Sequence, residues 1–119
     1  MTSQFTLYPL NDLSYEIRFR KQNPDKPGST LPLEDGAVTV FLATSEAPTA
    51  TTADATLSVS ATHINNGWWR VTFEGNTLTA ALMATHFAST SPVMIWTHSS
   101  GVRVAVLGTY SASREAAAA

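Results

Sequence analysis

Two alternating, strand-like runs, Ala55–Ile64 and Trp68–Glu74, flank Asn65-Asn66-Gly67 and leave the chain little freedom in how it turns. Leu57, Val59 and Ala61 form the apolar side of the first run, and Trp69, Val71 and Phe73 that of the second. A two-residue Asn-Gly turn sets odd residues opposite even ones and buries Thr72 against Ala61. A three-residue loop instead pairs His63 with Trp69, Ala61 with Val71 and Val59 with Phe73. That loop needs a left-handed residue in third place, where Gly67 stands. The segment predicts a β-hairpin with a glycine bulge inside an antiparallel β domain. It specifies fold and carries no reaction chemistry of its own.

The rest of the chain extends this reading. Leu13–Arg20 alternates, with Leu13, Tyr15, Ile17 and Phe19 on one side and charged or hydroxyl residues on the other. Phe5–Tyr8 reads as a short strand stopped by Pro9, and Ala37–Ala43 as a central strand. Lys21–Pro32 holds three prolines and a glycine and reads as a long exposed loop. Thr44–Asp54 reads as a polar loop, mobile or ordered by a neighbour. Thr77–Phe87 changes period: Leu78, Ala81, Leu82 and Thr85 share a helical stripe, with Asn76 or Thr77 as cap. Val93–His98 and Val102–Tyr110 form a second hairpin around Ser99-Ser100-Gly101, again with glycine third. In that register His98 meets Val102, Trp96 meets Val104 and Met94 meets Val106. Ile95 and Leu107 face the other way, so this hairpin is apolar on both faces. Either it is central, with the helix covering one side, or it meets another chain.

These patterns predict an all-β fold, an antiparallel β-sandwich of immunoglobulin-like or jelly-roll-like kind with one short helix near residues 77–87. The core residues are Tyr15, Ile17, Phe19, Val38, Val40, Leu57, Val59, Trp69, Val71, Phe73, Trp96, Val104 and Val106. With 119 residues the chain makes one domain, residues 1–111, and an alanine-rich tail, residues 112–119.

Composition narrows the chemistry. A net charge of −2, with Arg18, Arg20 and Lys21 the one basic cluster, argues against nucleic-acid binding. The chain has no cysteine, which removes disulfides, thiolate catalysis and cysteine zinc sites. Met1-Thr2-Ser3-Gln4 does not resemble a secretion signal, and no segment approaches a membrane span, so synthesis in the cytoplasm is expected. His63, His86 and His98 lack helical metal-site spacing and acidic companions. His63 and His98 fall at matching hairpin ends, where a shared site is conceivable, but polar strand-end residues beside a turn are the plainer explanation. No nucleophile elbow, Ser-x-x-Lys motif or phosphate loop occurs, and adjacent Glu34 and Asp35 read as turn residues. No catalytic residue, cofactor or metal is expected.

Trp68 and Trp69 cannot both enter one core, because neighbouring strand residues face opposite ways. Trp69 shares the parity of Val71 and Phe73, which leaves Trp68 beside Ile64 on the other face. A loop or the helix covers that pair, or it is a contact patch. Burying it against a partner contributes on the order of 3–5 kcal/mol. Trp68 with Arg70 also admits stacking on a sugar ring.

The succession Tyr15-Glu16-Ile17-Arg18-Phe19-Arg20, Asp35-Gly36-Ala37-Val38-Thr39-Val40-Phe41-Leu42, Gly67-Trp68-Trp69-Arg70-Val71-Thr72-Phe73 and Gly101-Val102-Arg103-Val104 spans most of the chain. It resembles the small immunoglobulin-like or related β-sandwich structural proteins of tailed bacteriophage virions. The resemblance implies a non-enzymatic, oligomeric part in capsid decoration, neck or tail, with homo-oligomeric or other virion partners and a place in the virion. The expected partner-contact residues, from parity, are Ile64, Trp68, Arg70, Ile95 and Leu107. The alternatives are a carbohydrate- or receptor-binding β module using Trp68 and a small β enzyme using the histidines.

Overall fold

The computed structural model describes residues 4–8, 10–44, 55–87 and 91–111. The expected loop over residues 45–54 and the tail 112–119 lie outside the described residues. Ten strands and one helix follow in order: β1 (Gln4–Leu7), β2 (Leu13–Arg18), β3 (Arg20–Gln22), β4 (Thr30–Pro32), β5 (Val38–Ala43), β6 (Leu57–Ser60), β7 (Thr62–His63), β8 (Trp68–Phe73), α1 (Ala80–Phe87), β9 (Val93–His98) and β10 (Arg103–Tyr110). They form a five-stranded sheet ordered β1-β10-β9-β5-β6, a three-stranded sheet ordered β2-β8-β7, and a two-stranded ribbon of β3 and β4. The pairings are antiparallel apart from β1, which runs parallel to β10.

One hydrophobic core draws side chains from both larger sheets, and every residue named above as core lies in it or packs against it. Trp96 sits near its centre, fully buried, with the Tyr15 and Phe19 rings at 6.3 and 6.5 Å. The core closes tightly under β8, where Trp69, Val71 and Phe73 are buried, and less so under β2, where Leu13, Tyr15 and Ile17 stay half-buried.

The first hairpin holds only at its tip. His63 pairs with Trp69 and Thr62 with Arg70, as the three-residue loop requires. Before Thr62 the chain changes sheet: Ala61 N–H donates to Val38 O at 2.9 Å, and Val59 and Leu57 face Val40 and Leu42 of β5. The expected pairs Ala61–Val71 and Val59–Phe73 do not form. Parity survives because both sheets line the same core, so Val59 points inward whichever strand lies beside it. The second hairpin has the expected register in full, Val104 against Trp96 and Val106 against Met94, with His98 N–H donating to Val102 O at 2.8 Å.

The long run from Leu13 breaks at Phe19, and its neighbour changes there. Phe19 N–H donates to Gly67 O at 2.9 Å, ending the ladder with β8, while Phe19 O accepts from Leu33 N–H at 3.0 Å, beginning one with β4. Lys21–Pro32 is therefore a ribbon and not an open loop. Hydrogen-bonded pairs alternate with open ones along an antiparallel ladder. The Phe19–Leu33 bond and the Asn23 N–H bond to Ser29 O at 3.0 Å put Pro32, opposite Arg20, at an open position. The missing prolyl N–H thus faces away from β3, where a strand tolerates it. Pro24 and Pro27 fall in the tip, and Lys26-Pro27-Gly28-Ser29 closes it with proline second and Gly28 at φ 88°.

The helix is shorter than its periodicity predicts. Thr77 is spent on a preceding turn, its hydroxyl donating to Glu74 O at 2.7 Å, and the cap is Thr79, whose Oγ1 accepts from Leu82 N–H at 3.2 Å. The buried positions are Leu78, Met83 and Phe87; Ala81 and Thr85, expected on the inner stripe, are exposed. The larger side chains take the core face.

Both turn glycines are left-handed, Gly67 at φ 79° and Gly101 at φ 98°. Their surroundings differ. A Cβ on Gly101 meets nothing within 4 Å, whereas one on Gly67 falls 2.5 Å from Phe19 O and 2.9 Å from Pro32 Cβ. Gly101→Ala should therefore cost only the left-handed penalty, about 1–2 kcal/mol, and Gly101→Asn less. Gly67→Ala and Gly67→Asn should both cost clearly more, because backbone must move. Urea melts of the four variants check this, and equal losses at the two turns would refute the joint at Phe19.

Candidate contact surface

The outer face of β2-β8-β7 is laid out in cross-strand rows. Ser14 stands opposite Thr72, Glu16 opposite Arg70 with Thr62 beyond, and Arg18 opposite Trp68. Ile64 completes the last row, its N–H donating to Trp68 O at 2.8 Å. Arg70 donates to Glu16 Oε2 from two nitrogens, at 2.9 and 2.6 Å. Both side chains are about half exposed, so the pair contributes little to stability and serves to hold Arg70 toward β2. Arg18 does two things. Its Nε donates to Asn66 O at 3.0 Å, and its guanidinium lies 5.9 Å from the Trp68 ring centroid. A stacked cation of this exposed kind contributes about 0.5–1 kcal/mol.

Trp68 and Ile64 are the apolar exception on this face, 38% and 37% exposed. The turn residues put them there: Asn66 at φ 49° and Gly67 at φ 79° start β8 with Trp68 outward and Trp69 inward. Beside this row the β3–β4 ribbon stands almost wholly exposed, with Arg20 donating to the Thr30 hydroxyl and, at 2.8 Å, to Thr30 O. Arg18, Arg20, Lys21, Lys26 and Arg70 lie on the face and its ribbon, five of the seven Lys and Arg residues.

The two hairpin-end histidines do meet, across Trp69. The His63 ring centroid lies 4.9 Å and that of His98 6.0 Å from the indole, both edge-on. Trp69 Nε1–H donates to Leu33 O at 3.1 Å. His98 is buried, and the network assigns its proton: Nδ1 accepts from Ser100 N–H at 3.0 Å, so Nε2–H donates to Asp35 O at 2.6 Å. Both nitrogens are thereby used. His63 Nε2 lies 3.7 Å from Glu34 Oε1, which also accepts from Asn66 N–H at 3.0 Å. Ser99 Oγ accepts from Ala37 N–H at 3.1 Å, and a Cβ on Gly36 would collide with that oxygen. The arrangement pins the loop from Leu33 to Ala37 against both hairpin turns. Among the described residues no group of three His, Asp or Glu could hold a metal ion. In the sequence His63 and His98 at matching hairpin ends, with the adjacent Glu34 and Asp35, were the traces of this pole; the partners that matter are backbone carbonyls, which composition does not reveal.

The remaining contact candidates separate. Leu107 is 38% exposed, on the outer face of the five-stranded sheet. Ile95 is 2% exposed and belongs to a second apolar cluster with Phe41, Ala43 and Val93, against which Ala55 packs. It is not accessible to a partner. β9 is an interior strand covered on both sides, which answers the doubly apolar pattern of the second hairpin. The helix does not provide that outer cover, since Met83 and Phe87 join the main core.

No protein-family model matches the chain, and no curated protein sequence matches it. Among the described residues no helix is long and apolar enough to cross a membrane.

Trp69 and Trp96 offer a paired test of this pole. Both are buried, but Trp96 Nε1 has no hydrogen-bond partner among the described residues, whereas Trp69 Nε1 is bonded. Trp69→Phe should cost more than Trp96→Phe by about 1 kcal/mol, because it also orphans Leu33 O. Thermal melts of both variants decide it; the reverse order would remove Trp69 as the pin.

Proposed function

We propose that this protein is a non-enzymatic structural component of a virion, in capsid decoration, neck or tail, and that it works through protein–protein contacts. Its two sheets around one core, with a chain that changes sheet at Ala61, fit a β-sandwich of immunoglobulin-like or jelly-roll-like kind. The observation that carries the reading is the Trp68–Ile64 row. An indole and a branched aliphatic side chain stand exposed side by side on a strand face otherwise given to hydroxyls and an ion pair. Aromatic residues concentrate at the buried centres of protein interfaces, ringed by polar groups, and Arg18, Arg70 and Thr62 supply that rim. The succession of motifs from Tyr15 to Val104 resembles virion β-sandwich proteins and supports the particular setting. Carbohydrate recognition by Trp68 is the weaker alternative, because Arg18 already lies over the indole and a sugar would have to displace it.

Trp68→Ser should leave the melting temperature of the isolated chain nearly unchanged and reduce its incorporation into purified particles. Normal incorporation of a folded Trp68→Ser chain would remove this patch from assembly. Binding of the wild-type chain to a glycan array, lost in the same variant, would favour the alternative.

A further inference from the structure

Among the described residues the longest strand at a sheet edge is β2. Within the same residues the edges of the two larger sheets are β1, β6, β7 and β2, of four, four, two and six residues, and the ribbon strands β3 and β4 have three each. Proteins keep edges short or blunt them with proline, bulges or charged side chains, since unpaired N–H and C=O groups template another strand. β2 has no proline or bulge between Leu13 and Arg18, and its two charged residues, Glu16 and Arg18, are of opposite sign.

Its register shows which groups are offered. Phe19 N–H is bonded to Gly67 O, so the odd residues of β2 face β8 and the backbone groups of Ser14, Glu16 and Arg18 point outward. The side chains of the same three residues are exposed on the outer face. On the inner face, Leu13, Tyr15 and Ile17 remain half-buried while their neighbours on β8 are buried. The core is thus unfinished along the edge where the backbone has no partner strand among the described residues.

We propose that β2 pairs antiparallel with β2 of a second copy of this chain, about a two-fold axis at Ile17, joining two three-stranded sheets into one of six. The charges choose this occupant. Outward-facing residues must pair with outward-facing residues, and centring on Ile17 sets Glu16 opposite the partner subunit's Arg18, and Arg18 opposite the partner subunit's Glu16. Opposite charges directly across an antiparallel pair are favourable and like charges are not. The arrangement is self-complementary, as a two-fold contact requires. It goes beyond the Trp68 reading and does not depend on it, since Trp68→Ser leaves the edge intact.

Sedimentation equilibrium of the full chain over a range of concentrations tests it, with a reversible dimer expected. Glu16→Pro removes an outward N–H and the exposed ion pair to Arg70, which contributes little to stability, and should give a folded monomer, whereas Ile17→Pro, whose N–H serves β8, should unfold. Glu16→Arg and Arg18→Glu should each weaken the dimer about tenfold or more, a few favourable pairs becoming repulsive. The double swap Glu16→Arg/Arg18→Glu should restore it. A wild-type chain that stays monomeric throughout, a folded Glu16→Pro chain that dimerises normally, or a double swap no better than the single changes would overturn the proposal.

Discussion

The backbone of Phe19 is the hinge on which the rest of the surface depends. Its N–H goes to Gly67 O and its C=O to Leu33 N–H, so one residue ends the ladder with β8 and begins the ladder with β4. Two strands can meet end to end along a third only if nothing projects from the joint. Gly67 satisfies that condition, and its left-handed φ of 79° also starts β8 in the phase that turns Trp69 in and Trp68 out. Leu33, held by the same joint, presents the carbonyl that receives Trp69 Nε1–H. Turn, indole, histidine pole and outward Trp68 follow from a single close approach of backbone to backbone.

What could be read beforehand follows the same division between local and non-local causes. Alternation determines which way a side chain points, so the core from Tyr15 to Val106 and the outward setting of Trp68 and Ile64 were legible. Alternation does not say which strand lies alongside, and Val59 therefore lay beside Val40 instead of Phe73. The prolines of Lys21–Pro32 argued for a loop because their missing N–H groups matter only at bonded positions, and that register is not visible locally. In the helix, Met83 and Phe87 displaced Ala81 and Thr85 from the inner face because larger apolar side chains have more to gain from burial. Ile95 misled for the opposite reason: an interior strand with two covered faces has the same pattern as a strand with a sticky one.

The electrostatics of the outer face of β2-β8-β7 are arranged for position more than for stability. The Glu16–Arg70 pair is exposed and of small net value. Its consequence is that Arg70, expected as a partner-contact residue, is also paired within its own sheet, while Arg18 is tied to Asn66 O and the Trp68 ring. Holding these side chains before any partner arrives lowers the ordering cost that binding otherwise carries. A patch as small as one indole and one isoleucine benefits most from such pre-ordering.

The small size of that patch also bears on how it acts. Trp68 and Ile64 together fall well short of the area a stable interface needs, so a single copy would hold a neighbour weakly. In an antiparallel pairing of β2, opposed residues share a face, and both outer faces therefore point the same way. Strands lie about 4.7–4.9 Å apart, so the β8 strands of the two copies stand roughly 14 Å from each other, three spacings across the joined sheet. Each row would run Ile64, Trp68, Arg18, then Glu16 and Arg70 of the partner subunit, so that one carboxylate serves two guanidinium groups. Two weak patches fixed on one rigid sheet raise the effective concentration of the second contact once the first is made. On the proposed pairing the edge and the patch would be parts of one device: the edge would fix geometry between copies, and the pair of tryptophans would convert that geometry into avidity.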